Sequence, residues 1–344
     1  MSLNIKDYDY DLPDILIANK PSFKRDSCRL LCLDKKTNVI THKLFKDLKK
    51  ILTPNDVLVL NQSKVFPARI FGKKESGGDI EILLIRQLKS NLWLAISKPR
   101  PSIGKKIFFG HKLIGKIIKS DSISGQIEIK FNQKNEIFFQ TLDKIGHTPL
   151  PSYIKSSHKE SKLRKEYQTV YATKVGSAAA PTAGLHFTKK LLSDLKKKGV
   201  QIEYIILHVG LGTFQNLRSE NIKTKTLHSE FYEIQPLVAK RLNQAKQNGK
   251  RIVAVGTTTV RTLESALNVK NQIQSGKNFT NIFIYPGYKF KFIDALITNF
   301  HLPKSSLLML VSAFAGKQKI FNCYKEAINQ KYHFFSFGDA MFVY

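Results

Sequence analysis

The sequence predicts an α/β protein: a mixed-sheet α/β main domain, residues 1–62 and 150–344, with an inserted small antiparallel β-barrel domain, residues 63–149. Three patterns carry this. Asp56-Val-Leu-Val-Leu60 is an apolar run of strand length. Helix, glycine and strand recur in succession after residue 167. Between these regions, short β-type runs alternate with turn signals and no convincing helix.

The run 56–60 ends in the polar Asn61-Gln-Ser-Lys64. Strands are then expected at 79–85, 92–97, 106–109, 113–119 and 126–131, separated by Gly77-Gly78, Lys98-Pro-Arg-Pro101 and Ser124-Gly125. Five short strands with frequent turns suggest a small closed or sandwiched sheet. After Pro149-Leu-Pro151, the charged stretch 156–166 reads as a linker or short exposed helix. Thr188 can cap a helix over 189–198, Gly199 stops it, and a strand follows over 201–209. The unit repeats as a helix over 236–248, Gly249, and a strand over 251–255; another helix is expected from about 260 to 269. The tail adds a strand at 281–285, helices at 305–315 and 319–330, and a closing segment at 334–343. In such a layered domain, ligands are expected at the carboxyl ends of the strands.

Lys+Arg 56 against Asp+Glu 26 gives a formal charge of +30 over 344 residues. A strong basic excess suits a polyanion, yet it is built from 46 Lys and only 10 Arg in an Ile- and Asn-rich chain, as compositional drift also produces. Arginines are the more informative cations because their planar fork makes bidentate contacts; Arg29, Arg69, Arg100 and Arg261 stand out. Cys28, Cys32 and Cys323 cannot form a disulfide framework, and Cys28 and Cys32 have no nearby second pair for zinc. No signal peptide or apolar run of membrane length is present, so a cytoplasmic chain without a membrane partner is expected.

Four loops combine small and polar residues. In Gly176-Ser-Ala-Ala-Ala-Pro-Thr-Ala-Gly-Leu-His186, small side chains let a ligand approach, with Thr182, Gly184 and the titratable His186 at hand. His208-Val-Gly-Leu-Gly-Thr213 follows a strand; Gly210-x-Gly212 lacks the third glycine of a dinucleotide fingerprint and suits a close-approach turn for a nucleoside. Gly256-Thr-Thr-Thr-Val-Arg261-Thr-Leu-Glu264 offers helix N-terminal amides and hydroxyls to a carboxylate or phosphate; the alternatives are plain threonine capping and an Arg261–Glu264 surface pair. Asn299 and His301, in Asp294-Ala-Leu-Ile-Thr-Asn-Phe-His301, share a face if extended. His228-Ser-Glu230 adds a polar pair able to act as acid and base. Metal-ligand spacing, a Walker loop and a nucleophile signature are all missing from the sequence.

Together the loops resemble the S-adenosylmethionine:tRNA ribosyltransferase-isomerase (QueA) family of queuosine biosynthesis. The resemblance rests on Tyr167-Gln-Thr-Val-Tyr171, Ala179-Ala-Pro-Thr-Ala-Gly-Leu-His-Phe187, His208-Val-Gly-Leu-Gly-Thr-Phe214, His228-Ser-Glu230, Ala254-Val-Gly-Thr-Thr-Thr-Val-Arg-Thr-Leu-Glu264, Ile284-Tyr-Pro-Gly-Tyr288 and Leu296-Ile-Thr-Asn-Phe-His-Leu-Pro-Lys-Ser305. It extends to Tyr8-Asp-Tyr-Asp-Leu-Pro13, Arg25-Asp-Ser27, Leu60-Asn-Gln-Ser-Lys-Val-Phe-Pro-Ala-Arg69 and Phe334-Phe-Ser-Phe-Gly-Asp-Ala-Met341.

The resemblance implies transfer and isomerisation of the ribosyl part of S-adenosylmethionine onto 7-aminomethyl-7-deazaguanine (preQ1) at the tRNA wobble position, giving epoxyqueuosine and releasing adenine and methionine. S-adenosylmethionine is then a consumed ribosyl donor, with no cofactor or metal expected. Its sulfonium acidifies the C5′ hydrogens, so a base can take one while adenine leaves, and the tRNA amine then attacks. Expected catalytic residues are His186, His228, His301 and Glu230. Expected S-adenosylmethionine contacts are Thr182, Gly184, His208, Gly210, Gly212, Thr213, Thr257, Thr258, Arg261 and Asn299, while Lys64 and Arg69 are candidates for the anticodon loop. The partners are tRNA and S-adenosylmethionine, and a monomer is expected. Two positions depart from the family pattern: Cys28 stands where serine is expected, and Asn216 where proline is common. The competing readings are a non-catalytic RNA-binding protein and a methyltransferase, which predict no adenine release and methylated RNA, respectively.

Overall fold

The computed structural model describes residues 4–122, 125–151, 153–154, 158–210, 217 and 219–344. The hairpin β1 (Arg29–Leu33) and β2 (Ile40–Leu44) leads through the single-turn α1 (Leu48–Ile51) to β3 (Asp56–Asn61), which is buried at all six positions. Such a continuous apolar run is the pattern of a strand covered on both faces. β4 (Ser63–Val65) follows. Then come β5 (Arg69–Lys74), β6 (Asp79–Lys89), β7 (Leu92–Lys98), β8 (Lys106–Phe108), β9 (Ile114–Ser120) and β10 (Gln126–Phe131), which close a barrel in the order β10-β7-β6-β5-β8-β9.

The barrel region differs from expectation in two ways. A sixth strand, β5, is present; its short alternation after Pro67 gives little local signal. A helix, α2 (Asn135–Ile145), also follows β10. Its Phe138, Thr141 and Leu142 are spaced for one helical face, and Phe138 packs on Trp93 and Phe131 inside the barrel cluster.

The return path runs through the short helix α3 (Glu160–Glu166), β11 (Lys174–Ser177), α4 (Lys189–Lys197), β12 (Gln201–Leu207), α5 (Ser219–Thr224), β13 (Thr226–Ile234), α6 (Pro236–Gln247), β14 (Arg251–Val255), α7 (Thr257–Ser265), β15 (Gly276–Ile282), β16 (Ala295–Asn299), α8 (Ser306–Ala315), α9 (Lys317–Asn329) and β17 (Ala340–Val343). Nine strands form one mixed sheet, β15-β13-β12-β3-β14-β16-β17-β1-β2, whose central β12, β3, β14 and β16 are parallel. Alternate side chains feed two cores. Val57 and Val59 face one with α6 to α9, and Leu58 and Leu60 face the other with α1 and α4.

Other boundaries moved as well. Thr188 caps α4 by accepting from Leu191 N–H, as expected. α7 starts at Thr257 rather than near 260, because Gly256 at φ 83° turns the chain straight from β14 into the helix. The strand expected at 281–285 lies at Gly276–Ile282, and only Ala340–Val343 of the closing segment is strand. β3, β12, β14 and β16 therefore end at one edge of the sheet, where the barrel is also attached through β4.

Candidate active site at the carboxyl edge of the sheet

Among the described residues, two clefts open at this edge and take up most of the expected site residues between them. The first, about 440 Å³, is lined by Thr182, Gly256, Thr257, Thr258, Asn299 and His301, together with Pro151, Tyr153, Thr298, Phe335 and Ser336, among others. The second, about 330 Å³, lies between barrel and sheet and includes His208, Gly210, His228 and Glu230 with Trp93, Phe231 and Phe279. Val209 lines the first and Gly210 the second, so the end of β12 forms part of the wall between them. Gly212, Thr213 and Asn216 lie outside the described residues.

Two buried polar atoms on the wall of the first cleft have no hydrogen-bond partner among the described residues: Thr258 Oγ1 and Asn299 Oδ1. Buried acceptors and hydroxyls are rarely left unpaired, so each marks a place for a ligand donor or acceptor. Plain capping does not account for the three threonines. The N-cap of α7 is Gly256, Thr259 Oγ1 donates back to the Val255 carbonyl at 2.7 Å, and Thr258 Oγ1 is left over.

Asn299 is held in one orientation. Its Nδ2 donates to the Phe335 carbonyl at 3.0 Å, which can only accept, and lies 2.9 Å from His186 Nε2. The ring therefore accepts at Nε2 and carries its proton on Nδ1, which points at Cys28 Sγ 3.3 Å away. A serine at position 28 would offer an oxygen to the same proton, which explains why cysteine serves there. Phe335 itself sits at φ 76°, a costly conformation for an aromatic residue, and its ring meets Tyr153 edge-on at 4.3 Å.

His186 is buried beneath Asn299 and lines neither cleft, although the sequence marked it as a proton carrier. Arg25 anchors the turn that carries it by donating to the carbonyls of Gln168 and Leu185 at 2.7 and 3.2 Å. Gly184 serves packing: a Cβ there would stand 1.9 Å from the Tyr171 hydroxyl. His301 does line the cleft, with Nε2 3.0 Å from Thr298 Oγ1. β16 ends at Asn299, so the two reach the same cleft through strand end and loop rather than by strand alternation.

Burial holds three imidazoles neutral. His186 is pushed down to about 4 by desolvation, aided by the Arg25 guanidinium; His208 is pushed to about 4 and His301 to about 3 by desolvation. Unfolded, each would titrate near 6.5. Below that value the unfolded chain binds protons the folded chain refuses, so stability is complete above about pH 6.5 and falls as pH drops toward 4. Each histidine adds a slope of up to about 1.4 kcal/mol per pH unit in that window. The urea midpoint should fall between pH 7 and pH 5, and fall less steeply in His301→Asn; a flat midpoint in the parent chain would refute the buried neutral state.

In the second cleft, Ser63 Oγ lies 2.7 Å from His208 Nδ1, and the His208 ring stacks on Phe231. Glu230 is bonded to Arg261 and accepts from Gly210 N–H at 2.9 Å. Arg261 and Glu264 are not a surface pair: both are buried. Arg261 lines neither cleft, and its Nε and Nη2 have no hydrogen-bond partner among the described residues. Glu264 accepts from Tyr288 Oη and the amides of Lys291, Phe292 and Ile293, tying down the loop before β16. Arg69 is engaged by Glu81 at 3.2 Å and by the Leu150 carbonyl, whereas Lys64 is exposed.

Sequence comparison matches residues 5–343 to the family described as queuosine biosynthesis protein. The chain belongs to this family. Among its relatives, proteins named S-adenosylmethionine:tRNA ribosyltransferase-isomerase from Carboxydothermus hydrogenoformans and Desulforamulus reducens are 49% and 50% identical, each match covering 99% of this chain and 100% of the relative. A crystal structure of S-adenosylmethionine tRNA ribosyltransferase from Thermotoga maritima is 35% identical, covers 98% of this chain and 100% of its own, and superposes with a TM-score of 0.56. Within this family member, sequence reasoning missed Tyr153, Thr298, Phe335 and Ser336 as cleft residues. The Phe334-Phe-Ser-Phe motif was a signal for the last two; nothing local pointed to Tyr153. Among the described residues, no helix is long and apolar enough to cross a membrane.

Proposed function

We propose that this chain transfers and isomerises the ribosyl part of S-adenosylmethionine onto the aminomethyl group of preQ1 in the tRNA anticodon, producing epoxyqueuosine, adenine and methionine. It is an S-adenosylmethionine:tRNA ribosyltransferase-isomerase, as its full-length relatives are named. The observation that carries the finer reading is the first cleft, where Thr258 Oγ1 and Asn299 Oδ1 wait unpartnered beside the N-terminal amides of α7. Its volume suits a nucleoside-sized ligand. A sulfonium cation is favoured by a wall whose imidazole, His301, is held neutral, and Lys304 of the same cleft is bridged to Asp9 at 2.7 Å.

In this reading Asn299, Thr182, Thr257 and Thr258 hold the donor, and His301 faces the ribose as the candidate proton carrier. His186 is a positioning residue for Asn299. The second cleft takes the modified base: Phe231 and Phe279 offer faces to an unstacked base, and His228 and Glu230 lie at its wall. The barrel domain, 63–149, serves as the RNA-facing unit. The deciding experiment incubates the protein with S-adenosylmethionine and tRNA bearing preQ1, then measures free adenine, free methionine and nucleoside mass. Release of both with a mass gain of the transferred ribosyl unit is expected; methylated RNA without adenine would overturn the reading.

A further inference from the structure

Nine arginines lie among the described residues, and eight of them each donate a hydrogen bond to a carbonyl, a hydroxyl or a carboxylate. Arg86 is the exception. Among the described residues it has neither a hydrogen bond nor an ion pair, and its contact is with a ring: the guanidinium carbon lies 5.2 Å from the centroid of Phe279. Arg86 belongs to β6 of the barrel and Phe279 to β15, the edge strand of the main sheet, so the contact spans the two domains.

Local structure aims this side chain. Ile80, Ile82 and Leu84 alternate into the barrel core, and the same alternation would carry Arg86 inward with them. The register shifts first. Leu84 pairs with Ala95 and Arg86 with Leu94, so two residues of β6 match one step of β7. Such a bulge re-aims the side chains around it. Ile85, Arg86 and Gln87, three residues in a row, accordingly all line the second cleft, as does Phe279.

An unneutralised guanidinium beside an aromatic platform fits a nucleotide, because a base stacks on the ring and an arginine fork takes phosphate oxygens. The platform is exposed. Phe279 is 50% exposed and in register with Phe231, whose ring it meets edge-on at 5.7 Å, and His208 stacks on Phe231 in turn. Glu230, the one carboxylate among the described residues of this cleft, is engaged by Arg261 and by Gly210 N–H.

Guanidinium and base cannot both cover Phe279 as the free chain stands. A base between them needs two stacking distances, about 7 Å at about 3.5 Å each, and 5.2 Å is available. An entering base therefore displaces Arg86. The exchange is favourable, since a cation over an exposed ring is a weaker partner than a stacked base.

We propose that Arg86 is a phosphate clamp for the nucleotide whose base enters the second cleft: it covers Phe279 in the free chain, then yields the ring to the base and turns to that nucleotide's phosphate. This rests on the tRNA-modifying function above and names the residue that exchanges partners when the RNA binds.

The test measures binding of tRNA bearing preQ1 over a salt series for the parent, Arg86→Gln, Arg86→Lys and Phe279→Leu. Arg100→Gln, at an exposed barrel site outside the cleft, is the charge control. Arg86→Gln should make log K against log salt shallower by about 0.7–0.9, one phosphate contact, and weaken binding about fivefold at about 0.15 M salt. Arg86→Lys should keep the slope, since a point charge also meets phosphate. Phe279→Leu should weaken binding about tenfold with the slope unchanged, because it removes stacking and no charge. In Arg86→Gln the KM for tRNA should rise about fivefold while kcat stays at the parent value. A merely structural bridge between barrel and sheet predicts that Arg86→Gln and Phe279→Leu lower the thermal midpoint alike and leave the salt slope alone; that result overturns the clamp, as does an equal slope loss in Arg100→Gln. If Arg86→Gln loses the slope but the parent releases no adenine, the catalytic reading fails and the clamp stands. If the parent releases adenine and Arg86→Gln keeps the parent slope, the clamp alone fails.

Discussion

Asn299→Ala is expected to lower kcat/KM for S-adenosylmethionine by about 10- to 100-fold, the loss of one hydrogen bond of about 1.4–2.7 kcal/mol in a dry site. The argument begins with orientation. The Phe335 carbonyl and His186 Nε2 both claim the Asn299 amide nitrogen, so its oxygen is the atom without a protein partner. Asn299→Asp should be worse than alanine at pH 8, because it sets a carboxylate oxygen against the Phe335 carbonyl; part of the loss should be recovered as the carboxyl takes a proton. His186→Ala tests the layer beneath. It should cost less than Asn299→Ala and leave both limbs of the pH–rate profile in place, with His186→Gln recovering activity by offering the amide an acceptor oxygen. Loss of a limb in His186→Ala would make His186 the proton carrier and refute its positioning role.

The second large effect is on stability. Arg261→Met should destabilise the protein by about 3–5 kcal/mol, because it removes one member of a buried ion pair. Arg261 and Glu230 are each about 5% exposed. Adding Glu230→Gln removes the second buried charge of the pair and keeps an acceptor for Gly210 N–H, so the double variant should recover about 1–3 kcal/mol relative to Arg261→Met. Urea midpoints of the two single variants and the double measure this directly. A double variant as unstable as the sum of the singles would show that the pair does not act as a unit. The pair also sits where the two clefts approach each other, so Glu230→Gln alone is expected to weaken tRNA-dependent turnover more than S-adenosylmethionine binding.

The same positions show what could be read in advance. Helix-stop-strand units were legible because periodicity, Thr188 as a cap and Gly199 and Gly249 at positive φ are local properties. β5 and α2 were not: one is a six-residue strand that joins the closed barrel by pairing with β8, far along the chain, and the other is an eleven-residue amphipathic helix whose apolar face has meaning only against Trp93 and Phe131. Arg261 was expected at the ligand, with a surface pair to Glu264 at helical spacing as the alternative, yet each serves a distant partner, Glu230 or the 288–293 loop.

By itself, then, the sequence determined the layered α/β class with its barrel insertion, the family, and most of the loops that line the two clefts, because these reside in contiguous motifs and in periodicities of a few residues. Tertiary structure alone decided which polar atoms of the cleft wall are left without a partner among the described residues. The Asn299 oxygen is left free by a histidine 113 positions away and by the carbonyl of the strained Phe335. β5 joins the closed barrel only through its register with β6 and β8. Hydrogen bonding and register act between atoms that the fold brings together, and spacing along the chain does not encode them.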